Sequence, residues 1–271
     1  MEDIPPAPYR SAFTADIDGF DELFRFRMGD LSVWTGIPGH GKSTFINHAM
    51  ASIANAQNWQ ITFASFEQDP ASDHRRSLRS WYLKGAPEHC SEEQKREADD
   101  WINRSFTFVC HDDDGEDEIL NLAWLIDCMK TAVFRHGCKV FVVDPWNELE
   151  HDKPRDMTMT EYVGNAIREL RRQARALNVH VAVVAHPAKL KSDDRVGLYS
   201  ISDSAHWANK PDQGCVIERD MEAGVTTFRV IKCRYDVLGR IGEQPFTFDV
   251  MSRRYRAISK DEAEYKKTGK V

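Results

Sequence analysis

From Leu31 onward, short continuous apolar runs alternate with longer stretches of helical periodicity. Five runs predict buried strands: LSVWT (31–35), WQITFASFE (59–67), FTFVC (106–110), KVFVVDP (139–145) and VHVAVVAHP (179–187). The residues between them predict helices at 42–56, 70–83 and 92–105, and two more with buried faces at Ile119, Leu122, Ala123, Ile126 and Val133, and at Val163, Ile167, Leu170, Ala174 and Leu177. Strands that are apolar on both faces and separated by helices indicate an α/β fold with a parallel sheet covered on both sides.

The C-terminal part follows a different pattern. GCVIERD (214–220), TTFRVIKCRY (226–235) and PFTFDV (245–250) predict strands with short connections and no helix between them, which indicates an antiparallel extension of the same sheet. We expect one domain at 29–258, an N-terminal arm at 1–28 and a flexible tail at 259–271. The arm carries Phe20, Phe24 and Phe26, which need burial on this domain or on a neighbouring subunit.

Composition narrows the class of protein. Hydrophobic residues make up 41% and charged residues 29%, as in ordinary soluble globular proteins. The formal net charge of -7 means that an anionic partner would have to meet a local basic patch. Six cysteines without a C-x-x-C pair indicate reduced thiols. No apolar run approaches the ~20 residues of a membrane span, and MEDIPPAPYR does not resemble a signal peptide. We expect a soluble, cytoplasmic protein with no membrane partner.

A phosphate-binding loop follows the first predicted strand. Gly36, Gly41, Lys42 and Ser43 fit G-x-x-x-x-G-K-[ST] between a strand and a helix, which is the context that this motif requires. Its glycines let backbone N–H groups surround the phosphates, and the helix N-terminus favours negative charge. The alternative is a glycine-rich turn without a ligand. The predicted nucleotide-binding residues are Gly36, Pro38, Gly39, His40, Gly41, Lys42, Ser43 and Thr44, and the predicted ligand is a nucleoside triphosphate with Mg²⁺.

Two carboxylates follow neighbouring predicted strands. Asp144 ends KVFVVDP, where a Walker-B aspartate would hold Mg²⁺ or its water, as Ser43 would hold the ion directly. Glu67 ends ITFASFE and could orient or deprotonate the attacking water. Asp144 could instead cap a turn, and Glu67 could simply begin one, since Asp69 is close by.

Three basic residues are further candidates. His186 follows VAVVA and would lie at the same sheet edge, where it could contact the γ-phosphate or be a structural histidine. Lys232 and Arg234 lie two residues apart, on one face of a predicted strand. They could be exposed edge-strand cations, or they could reach the γ-phosphate bound by a neighbouring subunit.

Together these stretches resemble the RecA-type core of replicative hexameric helicases, in the Twinkle-like and phage primase–helicase branch, with bacterial DnaB more distant. The matching stretches keep the family's order over nearly all of 29–250: GDLSVWTGIPGHGKSTFINH, FASFEQ, VFVVDPWNEL, VAVVAHPAKL, ISDSAHWANKPDQG and VIKCRYDVLGRIG. The resemblance implies a RecA-like P-loop NTPase fold and a ring-forming, ATP-driven 5′-to-3′ DNA translocase. It implies Glu67 as catalytic base, Asp144 as Walker B, His186 as γ-phosphate sensor, and Lys232 and Arg234 acting in trans.

The resemblance also implies that loops at about 146–159 and 187–205 face single-stranded DNA. The candidate DNA contacts there are Lys153, Arg155, Lys189, Lys191 and Arg195. Neighbouring aspartates leave neither loop strongly basic, so we expect weak, salt-dependent binding per subunit that a ring would strengthen.

One feature departs from the family. The sequence has no primase or zinc-binding region, so we expect a stand-alone core or the helicase part of a bacterial or phage primase–helicase, with a primase partner and a hexamer that could fall apart to monomers. Two alternatives remain open: a RecA-like DNA-dependent ATPase without unwinding activity, and a small-molecule kinase. The stretch RELRRQARALN (168–178) has a basic face to which no function is assigned.

Overall fold

The computed structural model describes residues 11–109, 119–188 and 195–269. Its strands are β1 (Leu31–Thr35), β2 (Gln60–Ser65), β3 (Phe106–Val109), β4 (Cys138–Asp144), β5 (His180–Val184), β6 (Gln213–Asp220), β7 (Val225–Cys233), β8 (Gly242–Asp249) and β9 (Arg254–Ala257). Its helices are α1 (Lys42–Gln57), α2 (Arg75–Leu83), α3 (Glu92–Ser105), α4 (Leu122–His136), α5 (Met159–Leu177), α6 (His206–Asn209) and α7 (Lys260–Thr268). None of these helices is long and apolar enough to cross a membrane.

The nine strands form one sheet in the order β3-β2-β4-β5-β1-β6-β7-β8-β9. Neighbours from β3 to β6 are parallel, and β6 to β9 pair antiparallel. The predicted fold class, a mostly parallel sheet with an antiparallel C-terminal extension, is confirmed. The four-residue strand β9 was not predicted.

Each central strand supplies side chains to two hydrophobic cores. Trp34 of β1 points into the core beneath α1, α2 and α3, whereas Leu31 and Val33 point into the core beneath α4, α5 and α6. This alternation follows from the two-residue period of a strand. A parallel sheet covered on both faces presents its loops only at the two strand ends, which is where a site can form.

The buried face of α4 differs from the predicted one. The helix begins behind Asn121, whose side chain accepts the backbone N–H of Trp124, so Ile119 lies outside it and is 54% exposed. Ala123 is also exposed. The buried residues of α4 are Leu125, Ile126, Met129 and Ala132. Ile119 precedes the helix and Ala123 lies on its exposed side, so the prediction that these two residues belong to the buried face of α4 was wrong.

The described part of the N-terminal arm packs on its own domain. Phe20, Phe24 and Phe26 are fully buried, and the Phe20 ring lies 4.8 Å from Phe228 of β7 between ring centroids. The Asp21 carboxylate accepts the backbone N–H groups of Ala15 and Ile17, which folds the segment into a turn. Of the two surfaces considered for these aromatics, the structure shows the domain's own core.

The predicted flexible tail is wrong for Lys260–Thr268, which forms α7. The Ser259 hydroxyl accepts the backbone N–H of Glu262, and Ala263 packs with Val225 and Ile258. An N-cap and one buried contact are enough to order this polar segment.

We predict that Phe20→Ala lowers the free energy of unfolding by about 3–5 kcal/mol, because a fully buried aromatic leaves a cavity. Phe134→Ala is the matched control: its ring is 77% exposed, so its effect should stay within about 0.5 kcal/mol. Urea unfolding of both variants measures this. Equal stabilities would contradict the packing of the N-terminal segment.

Candidate nucleotide site

The loop between β1 and α1 has the backbone of a phosphate-binding loop. Gly36, Gly39 and Gly41 have φ values of 154°, 79° and 79°. A Cβ on Gly36 would lie 2.1 Å from the carbonyl oxygen of Ile217 in β6, so only glycine fits there. No side chain caps the N-terminus of α1. Its first backbone N–H groups therefore remain available to an anion.

The remaining predicted loop residues have different surroundings. His40 Nδ1 accepts the backbone N–H of Arg219 at 3.1 Å, which fastens the loop to β6. Pro38 is exposed, and Thr44 is half-buried beside Asn47 and Arg253. His40 thus has a structural contact that the motif alone did not reveal.

Lys42, Ser43 and Asp144 meet where α1 begins and β4 ends. Lys42 is 6% exposed, and its Nζ donates to the Ile37 carbonyl at 3.2 Å. The Ser43 side chain lies beside the Asp144 carboxylate and opposes the rise in its pKa that burial causes. Burial raises the pKa of Asp144 to about 6, and the charge of Glu67 adds to this rise. Burial also lowers the pKa of Lys42.

This arrangement fits Mg²⁺. The second carboxylate oxygen of Asp144, Oδ2, is buried without a hydrogen-bond partner. Magnesium takes oxygen ligands and is commonly held by one or two protein groups together with substrate phosphates. No group of three or more His, Cys, Asp or Glu in the described ranges could hold a metal by itself. Ser43 and Asp144 are therefore the residues that would hold the ion, jointly with a nucleotide.

Glu67 lies just beyond β2, beside this pair. The Phe66 backbone N–H donates to the Asp144 carbonyl at 3.0 Å, which fixes the end of β2 against the end of β4. Glu67 is exposed, and its negative charge acts on both neighbours: it adds to the rise in the Asp144 pKa and opposes the fall that burial causes in the Lys42 pKa. An exposed carboxylate at this edge has access to water and to a bound phosphate.

His186 is held at the same edge by two residues that the sequence analysis missed. Its backbone N–H donates to Asn147 Oδ1 at 2.8 Å, and its carbonyl accepts the Ser202 backbone N–H at 3.2 Å. Asn147 Nδ2 also donates to Ser202 Oγ at 3.0 Å. Burial, and then the charge of Lys42, lowers the pKa of His186, so the ring is neutral at pH 7. The position of Asn147, three residues beyond Asp144, did not by itself indicate this contact.

Lys232 and Arg234 lie toward the opposite ends of the strands, near the amino ends of β1 and β6. Lys232 pairs with Gly214 near the start of β6, and β6 runs parallel to β1. The end of β7 is therefore level with the first half of β1, with β6 between them. Lys232 Nζ donates to the Ala208 carbonyl at 2.6 Å, and Arg234 Nη2 to the Asn209 carbonyl at 3.2 Å. Both cations thus contact the last carbonyls of α6 in their own chain. Burial lowers the pKa of Lys232 to about 8.

Three of the predicted DNA-contacting cations, Lys153, Arg155 and Arg195, lie in the described part of the chain. Lys153 Nζ donates to the Met157 carbonyl at 2.6 Å, and Arg195 forms an exposed ion pair with Glu243 at 3.0 Å. Arg155 is exposed in a turn. Lys189 and Lys191 lie outside the described residues.

Comparisons with known proteins identify the family. The sequence profile of a family described as "AAA domain" matches residues 25–192, which is more than half of the chain. The chain belongs to the AAA-domain family. The chain is 32% identical over 246 residues to the Twinkle homolog protein, chloroplastic/mitochondrial, of Arabidopsis thaliana. The match covers 84% of the chain but only 34% of that relative, so the chain spans about a third of its length.

Solved structures share the fold of this AAA domain. One of them, itself an isolated ATPase domain, superposes with a TM-score of 0.70 and 14% identity, covering 86% of each chain. The structure of a DnaB-like replicative helicase, from a study of that helicase and its interactions with primase, also superposes with a TM-score of 0.70. The identity is 15%, and the match covers 86% of this chain and 60% of the other. The resemblance to Twinkle- and DnaB-like helicase cores is therefore confirmed. Membership of the family makes the chain a nucleotide-binding ATPase domain.

We predict that Asp144→Asn stabilises the metal-free fold while removing ATPase activity. The folded pKa of Asp144, about 6, exceeds its ordinary value of 3.8, so this group destabilises the fold increasingly as pH rises from about 4 to about 6. Asparagine does not titrate. In EDTA, the gain in unfolding free energy should be small near pH 4 and reach roughly 3 kcal/mol above about pH 7. Urea unfolding at both pH values measures it. A gain independent of pH would contradict the buried charge.

Proposed function

We propose that the chain is the motor core of a replicative DNA helicase, which translocates 5′ to 3′ on single-stranded DNA and hydrolyses ATP at sites shared between subunits of a hexameric ring. The P-loop would bind the triphosphate, and Ser43 and Asp144 would hold Mg²⁺. Glu67 would activate the attacking water, and neutral His186 would contact the γ-phosphate. Lys232 and Arg234 would complete the site of the neighbouring subunit.

The proposal rests on the distance between the residues of the nucleotide site and Arg234. The P-loop, Glu67, Asp144 and His186 follow the carboxyl ends of parallel strands, whereas Arg234 lies near the amino ends. The five residues of β1 alone span on the order of 15 Å. An arginine side chain is shorter than that distance, which supports a site that Arg234 reaches from a second copy of the chain.

Single-stranded DNA is the proposed partner because Twinkle- and DnaB-like cores belong to DNA helicases. A primase partner and a bacterial or phage origin remain predictions. The described loop cations favour weak binding per subunit, since Lys153 and Arg195 are engaged within the chain. That same observation favours the second candidate, a RecA-like DNA-dependent ATPase that does not unwind DNA.

Mixed rings test the shared site. We predict that Arg234→Ala and Glu67→Gln each reduce ATP turnover by at least about a hundredfold, given that a finger arginine alone is worth ~10³–10⁵ in rate. Mixing the two inactive variants should restore part of the turnover. In a mixed ring, an Arg234→Ala subunit supplies an intact P-loop and Glu67, and its Glu67→Gln neighbour supplies an intact Arg234.

The control is a mixture of Lys42→Ala with Glu67→Gln. Both changes damage the half of the site that contains the P-loop, so no subunit boundary in that mixture is complete and no turnover should return. Mixed assembly is verified by co-purification of two differently tagged variants. Absence of restoration in a verified mixed assembly would overturn the shared site.

A further inference from the structure

The basic face of α5 is the feature that the proposed ATPase site leaves unused. Arg168, Arg171, Arg172 and Arg175 recur at helical spacing on the side away from the buried stripe of Val163, Ile167, Leu170 and Ala174. That placement repeats cations along about two turns of helix, with a rise of roughly 5.4 Å per turn. Arg168, Arg172 and Arg175 are exposed.

These side chains form a groove together with Lys210, which follows α6. The groove has a volume of about 450 Å³ and is lined by Arg168, Arg171, Arg172, Arg175 and Lys210. The Lys210 ammonium donates to the Gly164 carbonyl, which holds it against α5. In the described part of the chain, every residue lining this groove is a cation.

The positive charge of the groove is only partly compensated. Arg171 forms a bidentate pair with the buried Asp212 carboxylate, at 2.6 and 3.1 Å, and Arg172 pairs with Glu169 at 2.6 Å. Arg168 donates to the Asn165 side chain. Among the described residues, no carboxylate lies within ion-pair distance of Arg168, Arg175 or Lys210. A protein of net charge -7 thus maintains a local excess of positive charge here.

The chemistry of the lining indicates the ligand class. Guanidinium groups bind phosphate oxygens in a bidentate manner, which favours arginine at phosphate sites. The residues that line the groove include no aromatic ring on which a base could stack, and each of them ends in a cationic group. A repeating phosphate backbone matches this row of cations better than a nucleoside does.

We propose that the α5 groove binds the phosphodiester backbone of a nucleic-acid strand without regard to sequence, as a second surface separate from the loops that follow β4 and β5. The inference rests on the proposed function for the identity of the strand as DNA. Asp212 also lies 3.6 Å from Arg234 Nε, so the groove adjoins the cation proposed to act across the subunit boundary. A strand held there would run along the outside of that boundary.

The test compares Arg168→Ala/Arg175→Ala with wild type in binding a labelled 30-nucleotide oligo(dT), followed by fluorescence anisotropy. Each lost phosphate contact on a single strand reduces the slope of log affinity against log salt by about 0.7. Two lost contacts should therefore weaken binding about 25-fold at 0.1 M salt and reduce the slope by about 1.4. ATPase activity without DNA should be unchanged, since neither residue is placed in the nucleotide site.

The matched control is Arg104→Ala/Arg135→Ala, which removes two exposed arginines from α3 and α4. This variant removes the same net charge as the groove variant, but its affinity for the oligonucleotide should stay within about twofold of wild type. Sedimentation velocity of both double variants identifies any change in assembly, and thermal unfolding verifies folding.

Equal weakening in both double variants, or none in the groove variant, would overturn the proposal. Loss of assembly in the groove variant, with unchanged DNA affinity per subunit, would also overturn it and identify the groove as a contact for an acidic protein surface. DNA binding that depends on the groove but does not stimulate ATP hydrolysis would support the groove while contradicting the motor function.

Discussion

The candidate site is arranged around the contact between Ser43, in the first turn of α1, and the buried Asp144 carboxylate at the end of β4. Asp144 is 3% exposed, and burial raises the pKa of its carboxyl group. Keeping such a group in a core destabilises the fold at neutral pH. The buried Oδ2 of Asp144 has no hydrogen-bond partner, and a bound cation would supply one. Lys42 and Glu67 supply the other charges beside it.

The length of the strands separates Ser43 and Asp144 from Lys232 and Arg234. One short helix, α6, contacts both regions. Trp207 of α6 is fully buried, with its ring 5.6 Å from that of Trp146, two residues beyond Asp144. The carbonyls at the end of α6 accept hydrogen bonds from both Lys232 and Arg234. In the isolated chain these cations are therefore held by α6, and reaching a neighbouring nucleotide requires that they leave those carbonyls.

The sheet and the P-loop could be predicted because their signals are local: continuous apolar strands, and glycines in a strand-to-helix turn. Ile119 was wrongly assigned to the α4 face because Asn121, a single capping residue, sets where the helix begins. The helix α7 was missed because one cap and one buried alanine order an otherwise polar segment. Asn147 could not be assigned from spacing alone, because its partner His186 follows a different strand, β5. Contacts between segments distant in sequence have no local signature.

We propose that one chain contains halves of two different nucleotide sites. The ATPase rate per subunit, measured as a function of protein concentration with and without single-stranded DNA, tests this arrangement. We expect the rate to rise steeply with protein concentration, and DNA to shift this rise to lower concentration, because the proposed site is complete only between subunits. A rate per subunit that is substantial and independent of concentration in a protein shown to be monomeric would contradict it.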